Sequence, residues 1–122
     1  MFVERLNRIS DRIEGALALS LVARDGIPVE SVRPAGGGGE RLDLDALAAE
    51  LLTQVKAISE NHSDLSVGRV RQFAITTDRY TIMVTAVTDD YYLLLVMGER
   101  GNYGRARFEL VRARLLFAED LE

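Results

Sequence analysis

The sequence of 122 residues contains no cysteine. Disulfide frameworks, thiol catalysis and cysteine-ligated zinc sites are therefore excluded. A single histidine, His62, rules out the two-histidine metal motifs, and we predict neither a metal site nor a cofactor. The longest uninterrupted apolar run, Leu93 to Met97, is far too short to span a bilayer, so we expect no membrane insertion.

Positive charge is also scarce, since 15 basic residues stand against 19 acidic ones and the formal charge is −4. Proteins that bind the phosphate backbone of nucleic acid are normally basic, so we expect no nucleic-acid partner. Lys56 is the only lysine, and a GC-rich coding sequence explains the arginine excess better than a site does. The amino terminus is too densely charged for a secretory signal, which favours a cytoplasmic location.

Composition and hydrophobic periodicity predict one globular domain, residues 1–122, with the order helix, two strands, helix, three strands, helix. The predicted ranges are 2–14, 16–23, 27–33, 44–60, 66–76, 80–88, 91–98 and 103–118. The strands at 16–23 and 91–98 are apolar on both alternating sides, so we expect both of them to be covered on both faces and the last to be central. Pro28 cannot donate a ladder hydrogen bond, which places its strand at a sheet edge.

Local signals refine the turns and helix ends. Asp25-Gly26 predicts a hairpin with a primed turn, and Asp43 and Asn102 are the expected N-caps of the second and third helices. The last helix carries two apolar stripes, of which we expect one to cover the sheet and the other to pack against the first helix or, alternatively, a partner. The stripes are Tyr103, Ala106, Leu110, Ala113 and Phe117, and Phe108, Val111, Leu115 and Ala118.

The glycine run Gly36–Gly39 invites interpretation as a phosphate-binding loop. A Walker loop requires lysine and then serine or threonine after its glycine, whereas Glu40 and Arg41 follow here. Asp43 and Asp45 would also repel a phosphate at the helix start, where the helix dipole would otherwise attract it. We therefore interpret the run as a flexible connection between an edge strand and a helix.

No catalytic constellation emerges from the remaining polar residues. His62, Ser63 and Asp64 are too close in sequence to align as a triad, and a histidine at a helix end is favoured by the dipole. Asp89 and Asp90 are typical of a turn. We therefore expect a protein that is not an enzyme.

Two surfaces suggest contact with another molecule. Small residues line the second helix opposite its apolar stripe, where another helix could approach closely, although a solvated back face explains them equally well. These residues are Ala46, Ala49, Thr53 and Ala57. On the third strand, Arg69 and Arg71 are expected to share a face with Phe73, where charges either prevent edge pairing or frame an edge-to-edge dimer.

The arrangement resembles the roadblock/dynein light-chain family over nearly the whole chain. The resemblance rests on ALALSLVARDGIPVES, LDLDALAAELLTQVKAI and YTIMVTAVTDDYYLLLVMGERGNYGRARFEL. It implies an α+β fold, with a five-stranded antiparallel sheet of order 2-1-5-4-3. The middle helix is expected on one face and the terminal helices on the other.

The resemblance also implies a function. Family members typically form homodimers through the middle helix and third strand, and the corresponding residues here are Ala46, Ala49, Thr53, Ala57, Arg69, Arg71 and Phe73. Bacterial members often accompany a Ras-like small GTPase, so we expect a non-enzymatic homodimer that binds and regulates one. The alternative is a scaffold subunit of a signalling or cytoskeletal complex with no effect on nucleotide turnover. A small-molecule sensor is less supported, because few polar residues are expected to face inward.

Overall fold

The computed structural model describes residues 2–34, 42–62 and 68–121, with the backbone alone described at 60–62 and 120. The predicted order of elements is confirmed. In chain order they are α1 (Val3–Asp11), β1 (Ala16–Ala23), β2 (Pro28–Val32), α2 (Leu44–His62), β3 (Gln72–Thr76), β4 (Tyr80–Ala86), β5 (Tyr91–Gly98) and α3 (Tyr103–Leu121).

The strands form an antiparallel sheet of order β2-β1-β5-β4-β3, which is the order that the family resemblance implied. β1 pairs with β5 along its whole length, from Ala16 opposite Met97 to Ala23 opposite Tyr91. β2 and β3 lie at the two edges. Pro28 therefore stands on an edge strand, as its missing amide hydrogen predicted.

The side chains of β5 point alternately into two hydrophobic clusters. Leu93, Leu95 and Met97 join residues of α1 and α3 in one cluster, while Leu94 and Val96 join residues of α2 in the other. All five are at most 1% exposed. Because successive side chains of a strand point to opposite faces, α2 covers one face of the sheet and α1 and α3 cover the other.

Both predicted N-caps are confirmed. The Asp43 carboxylate accepts a hydrogen bond from the Ala46 N–H at 3.1 Å, and the Asn102 side chain accepts one from the Arg105 N–H at 2.9 Å. α2 and α3 run beyond their predicted ends at 60 and 118. α1 is shorter than predicted, because the Arg12 N–H turns back to the Ile9 carbonyl and tightens the last turn.

The hairpin between β1 and β2 is confirmed, but its turn is not a two-residue primed turn. The Gly26 N–H donates to the Ala23 carbonyl at 2.8 Å, and the Ala23 N–H donates to the Ile27 carbonyl at 3.0 Å. The loop thus contains three residues, Arg24–Gly26. Gly26 has a φ of 90°, which is the left-handed conformation that ends a three-residue hairpin loop.

β3 starts at Gln72 rather than at 66. Gly68 has a φ of 86°, a left-handed conformation outside the range of a regular strand. The Arg71 carbonyl accepts a hydrogen bond from the Ala86 N–H at 2.8 Å, and the regular strand begins one residue later. Arg69 and Arg71 therefore precede the strand instead of lying within it, which corrects the prediction.

The two apolar stripes of α3 have different environments. The first is buried at Ala106, Leu110, Ala113 and Phe117, which contact both the sheet and α1 in one cluster. The second does not pack against α1, and that prediction is wrong. Phe108, Val111 and Leu115 are 58%, 41% and 64% exposed, because the first stripe alone supplies the contacts to both neighbours.

We expect Leu95→Ala to destabilise the protein by about 2–5 kcal/mol, because it removes buried methyl groups and leaves a cavity. Leu115→Ala deletes the same atoms from an exposed position and should change the stability by less than about 0.5 kcal/mol. Chemical denaturation followed by circular dichroism measures both values. Equal effects of the two substitutions would contradict the assignment of β5 to the core.

Candidate functional site

α2 turns its apolar side to the sheet and leaves a stripe of small side chains exposed on the other side. The buried positions are Leu44, Ala48, Leu51, Leu52 and Val55. The predicted stripe of Ala46, Ala49, Thr53 and Ala57 is exposed at every position. The Thr53 hydroxyl donates to the Ala49 carbonyl at 2.8 Å, so it is already satisfied within the helix. The resulting surface is low and smooth enough for a second helix to lie against it closely.

The β1–β2 hairpin lies directly against α2. A Cβ atom on Gly26 would stand 3.1 Å from the Cα atom of Ala49, which is tighter than ordinary van der Waals contact. Position 26 therefore needs glycine for two reasons: its φ is positive, and there is too little room for a Cβ atom beside α2. Through this contact the hairpin fixes the position of the exposed stripe relative to the sheet.

The predicted residues around β3 do not share a single surface. Phe73 is half-buried and packs against the cluster beneath α2. Arg69 lies near the same helix, since it lines a recess together with Leu52 and Lys56. Arg71 lines a second depression, which Arg69 also lines and which α3 borders through Arg114. The structure thus brings Phe73 to the side of α2 and Arg71 toward α3, and Arg69 lies between them because it lines both depressions.

A polar recess of about 360 Å³ beside the C-terminal half of α2 was not foreseen from the sequence. Its lining residues are Arg24, Leu52, Lys56, Ser59, Arg69, Val70, Asp89 and Tyr92. Arg69 forms a hydrogen-bonded ion pair with Asp89. That hydrogen bond, and then the carboxylate's charge, raise the pKa of the Arg69 guanidinium. The cations come from a hairpin, a helix and the segment before β3, so no local sequence pattern indicates that they meet.

The described residues hold no group of three or more histidine, aspartate or glutamate side chains that could bind a metal ion. No helix among them has the length and apolarity needed to cross a membrane. The glycine run Gly36–Gly39 and the side chains of His62, Ser63 and Asp64 lie outside the described residues. The interpretation of the glycine run as a flexible connection stays a prediction, whereas His62 is the last residue of the α2 backbone and so lies at a helix end, as predicted.

No protein-family model and no curated protein matches the sequence, but solved structures match the fold. The gliding protein MglB from Thermus thermophilus has a TM-score of 0.87 at 21% identity and covers 96% of this chain and 85% of its own. MglC from Myxococcus xanthus has a TM-score of 0.71 at 28% identity and covers 98% of both chains. A roadblock/LC7 domain from Streptomyces avermitilis has a TM-score of 0.82 at 14% identity, with coverage of 95% and 93%.

The chain has the roadblock fold. The resemblance predicted from the sequence is thereby confirmed. The elements that carry the candidate site, α2 and the edge strand β3, belong to this shared architecture. A second MglB structure, which has a tetrameric arrangement, matches this chain with a TM-score of 0.88 at 21% identity.

We expect Gly26→Ala to destabilise the protein more than Gly68→Ala does. Both glycines have φ near 90°, so each substitution incurs a left-handed backbone cost of about 1–2 kcal/mol. Only at Gly26 does the new Cβ also meet α2, since nothing lies within 4 Å of the corresponding position at Gly68. Urea denaturation of both variants measures the difference, and equal losses would show that the hairpin does not constrain α2.

Proposed function

We propose that this roadblock protein is a non-enzymatic homodimer that binds a Ras-like small GTPase and regulates it. The observation that carries the proposal is the exposed stripe of small residues on α2, in a fold shared with MglB, MglC and roadblock/LC7 domains. Within the described residues, no other element of the chain covers this stripe.

The dimer is proposed to form through α2 and β3. Ala46, Ala49, Thr53 and Ala57 would lie against their symmetry mates, since an isologous contact places the same patch on both sides. β3 pairs only with β4 in the described sheet, so its outer edge offers unpaired backbone groups to a second β3. Phe73 is half-buried at this margin, and joining two sheets would bury it further. Arg69 and Arg71, just before the strand, would then lie at the rim.

Regulation would follow from unequal affinity for the two nucleotide states of the GTPase. A protein that binds one state more tightly shifts the switch-loop equilibrium by the ratio of its affinities. Such binding needs a surface that spans the switch regions, and two adjoining copies of α2 supply a broader surface than one. The recess beside α2 contains Arg24 and Lys56 next to the Arg69–Asp89 ion pair, and its net positive charge favours an approaching acidic patch.

We expect Thr53→Arg to convert the dimer to a monomer, because a long charged side chain at the centre of the stripe prevents close helix approach and places like charges together. Sedimentation velocity measures the change in mass. Asn7→Arg is the matched control, since Asn7 is also exposed on a helix but lies on the opposite side of the sheet, and it should remain dimeric. A Thr53→Arg variant of unchanged mass would refute the proposed interface.

We expect the wild-type protein to bind a Ras-like GTPase from the same genome more tightly in one nucleotide state than in the other. Calorimetry with the GDP-bound and GTP-analogue-bound forms gives the ratio, and a hydrolysis assay shows whether turnover changes. Binding without preference and without effect on turnover would identify the scaffold alternative. Absence of binding in both states would refute the proposal for that GTPase.

A further inference from the structure

Exposed apolar side chains are concentrated on α3. Among the described residues, eight large hydrophobic side chains are exposed, and five of them lie on α3: Tyr103, Phe108, Val111, Leu115 and Leu116. Phe108, Val111 and Leu115 form a row along the helix, and Leu115 and Leu116 are 64% and 53% exposed. Single exposed apolar residues are ordinary, whereas a contiguous row of them marks an interaction surface.

A groove of about 240 Å³ lies between α1 and α3, and of the exposed apolar side chains of α3 it is Leu116 that lines it. Its apolar part comes from Ile9, Leu116 and Phe117, and its polar part comes from Arg5, Arg8, Arg12 and Glu119. In the described residues, no acidic side chain forms an ion pair with Arg8 or Arg12. The groove therefore combines an apolar floor with three arginines and one glutamate, a net positive lining in a chain whose net charge is −4.

Two arginines of α3 share one carboxylate, and together the three side chains add one net positive charge on the same side. Arg105 and Arg112 lie 3.1 Å and 3.9 Å from the carboxylate of Glu109, which is 1% exposed. The Arg105 guanidinium also stands 5.8 Å from the ring centre of Phe108. Both arginines are about half exposed, so the buried glutamate holds them beside the apolar row while they remain accessible.

The geometry points to an acidic amphipathic helix of a partner protein as the occupant of this α1–α3 face. Its apolar side chains would lie along Phe108, Leu115 and Leu116, and its carboxylates would meet Arg8 and Arg12 in the bidentate geometry that guanidinium groups favour. An apolar helix face laid into an apolar groove is a recurrent mode of peptide recognition. The α1–α3 face lies on the opposite side of the sheet from α2, so this inference stands apart from the proposed dimer.

Two other occupants fit the face less well. A second copy in a two-fold contact would bring the same arginine rows together. An anionic bilayer cannot enter a groove, and a chain of net charge −4 is repelled by it at long range. A peptide within the groove experiences mainly the nearby arginines, because salt screens charges beyond about 8 Å at physiological ionic strength.

The test uses a fluorescent peptide of about 15 residues, the length at which an isolated helix becomes marginally stable. Leucines occupy one helical face and glutamates flank them; one control peptide replaces every glutamate by lysine, and another replaces the leucines by serine. Fluorescence anisotropy should show that the full-length protein binds both controls at least about tenfold more weakly than the first peptide. Failure to bind the glutamate–leucine peptide would overturn the inference.

Variants of the protein locate the binding. Arg8→Glu/Arg12→Glu should weaken peptide binding at least about tenfold, as should Phe108→Ser/Leu115→Ser. The control Arg79→Glu/Arg100→Glu changes the net charge by the same amount as Arg8→Glu/Arg12→Glu. Its two exposed positions lie outside the groove, so peptide binding should remain intact. Equal weakening by the two arginine pairs would overturn the inference in favour of nonspecific attraction. Unchanged binding by Thr53→Arg would show that the α1–α3 face acts independently of the α2 dimer.

Two further measurements distinguish the other occupants. Sedimentation with phosphatidylserine–phosphatidylcholine vesicles that depends on Arg8 and Arg12 would assign the face to a membrane surface and overturn the peptide inference. If Phe108→Ser/Leu115→Ser abolished the dimer while the circular dichroism spectrum stayed unchanged, the α1–α3 face would be assigned to a second copy of the chain. That result would also overturn the peptide inference. We expect neither result.

Discussion

The pairing of β1 with β5, buried on both faces, is the constraint on which the rest of the molecule depends. Leu93, Leu94, Leu95 and Val96 are at most 1% exposed and point alternately up and down. Each such side chain contributes about 1.5–3 kcal/mol only when it is removed from water, so both faces need a helical layer. Any helix that serves as a layer has a second side, and the sheet cannot cover that side. The candidate binding surfaces are these outer sides.

The two layers leave different surfaces because they contain different numbers of helices. α2 covers its face alone, so apolar side chains at its margins, among them Phe73, Ile75 and Tyr80, are only partly buried. A second sheet beside β3 would complete that layer. On the other face, α1 and α3 lie side by side and leave a groove between them. The α2 layer thus leaves apolar side chains partly exposed at its edge, whereas the layer of α1 and α3 contains a groove between its two helices.

Hydrophobic periodicity was sufficient to predict the order of the elements and the two-sided burial of β1 and β5, and the missing amide hydrogen of Pro28 was sufficient to place its strand at an edge. The N-caps Asp43 and Asn102 could also be predicted, because a cap depends only on residues within the first turn of its helix. Periodicity could not decide which stripe of α3 faces inward, because both repeat at helical spacing. The buried stripe contains Ala106 and Ala113, which let the helix approach the sheet. The recess beside α2 depends on contacts between distant segments, which no local pattern encodes.

The two candidate surfaces lie on opposite sides of a sheet whose core is closely packed. Coupling between sites requires an element with two alternative arrangements that both sites bias. The sheet between them consists of paired strands with fully buried side chains, such as Leu94 and Leu95, and close-packed interiors resist small displacements. The simplest consequence is additivity: occupation of the α1–α3 face leaves the affinity at α2 unchanged. A protein of this kind would join two partners without either one regulating the binding of the other.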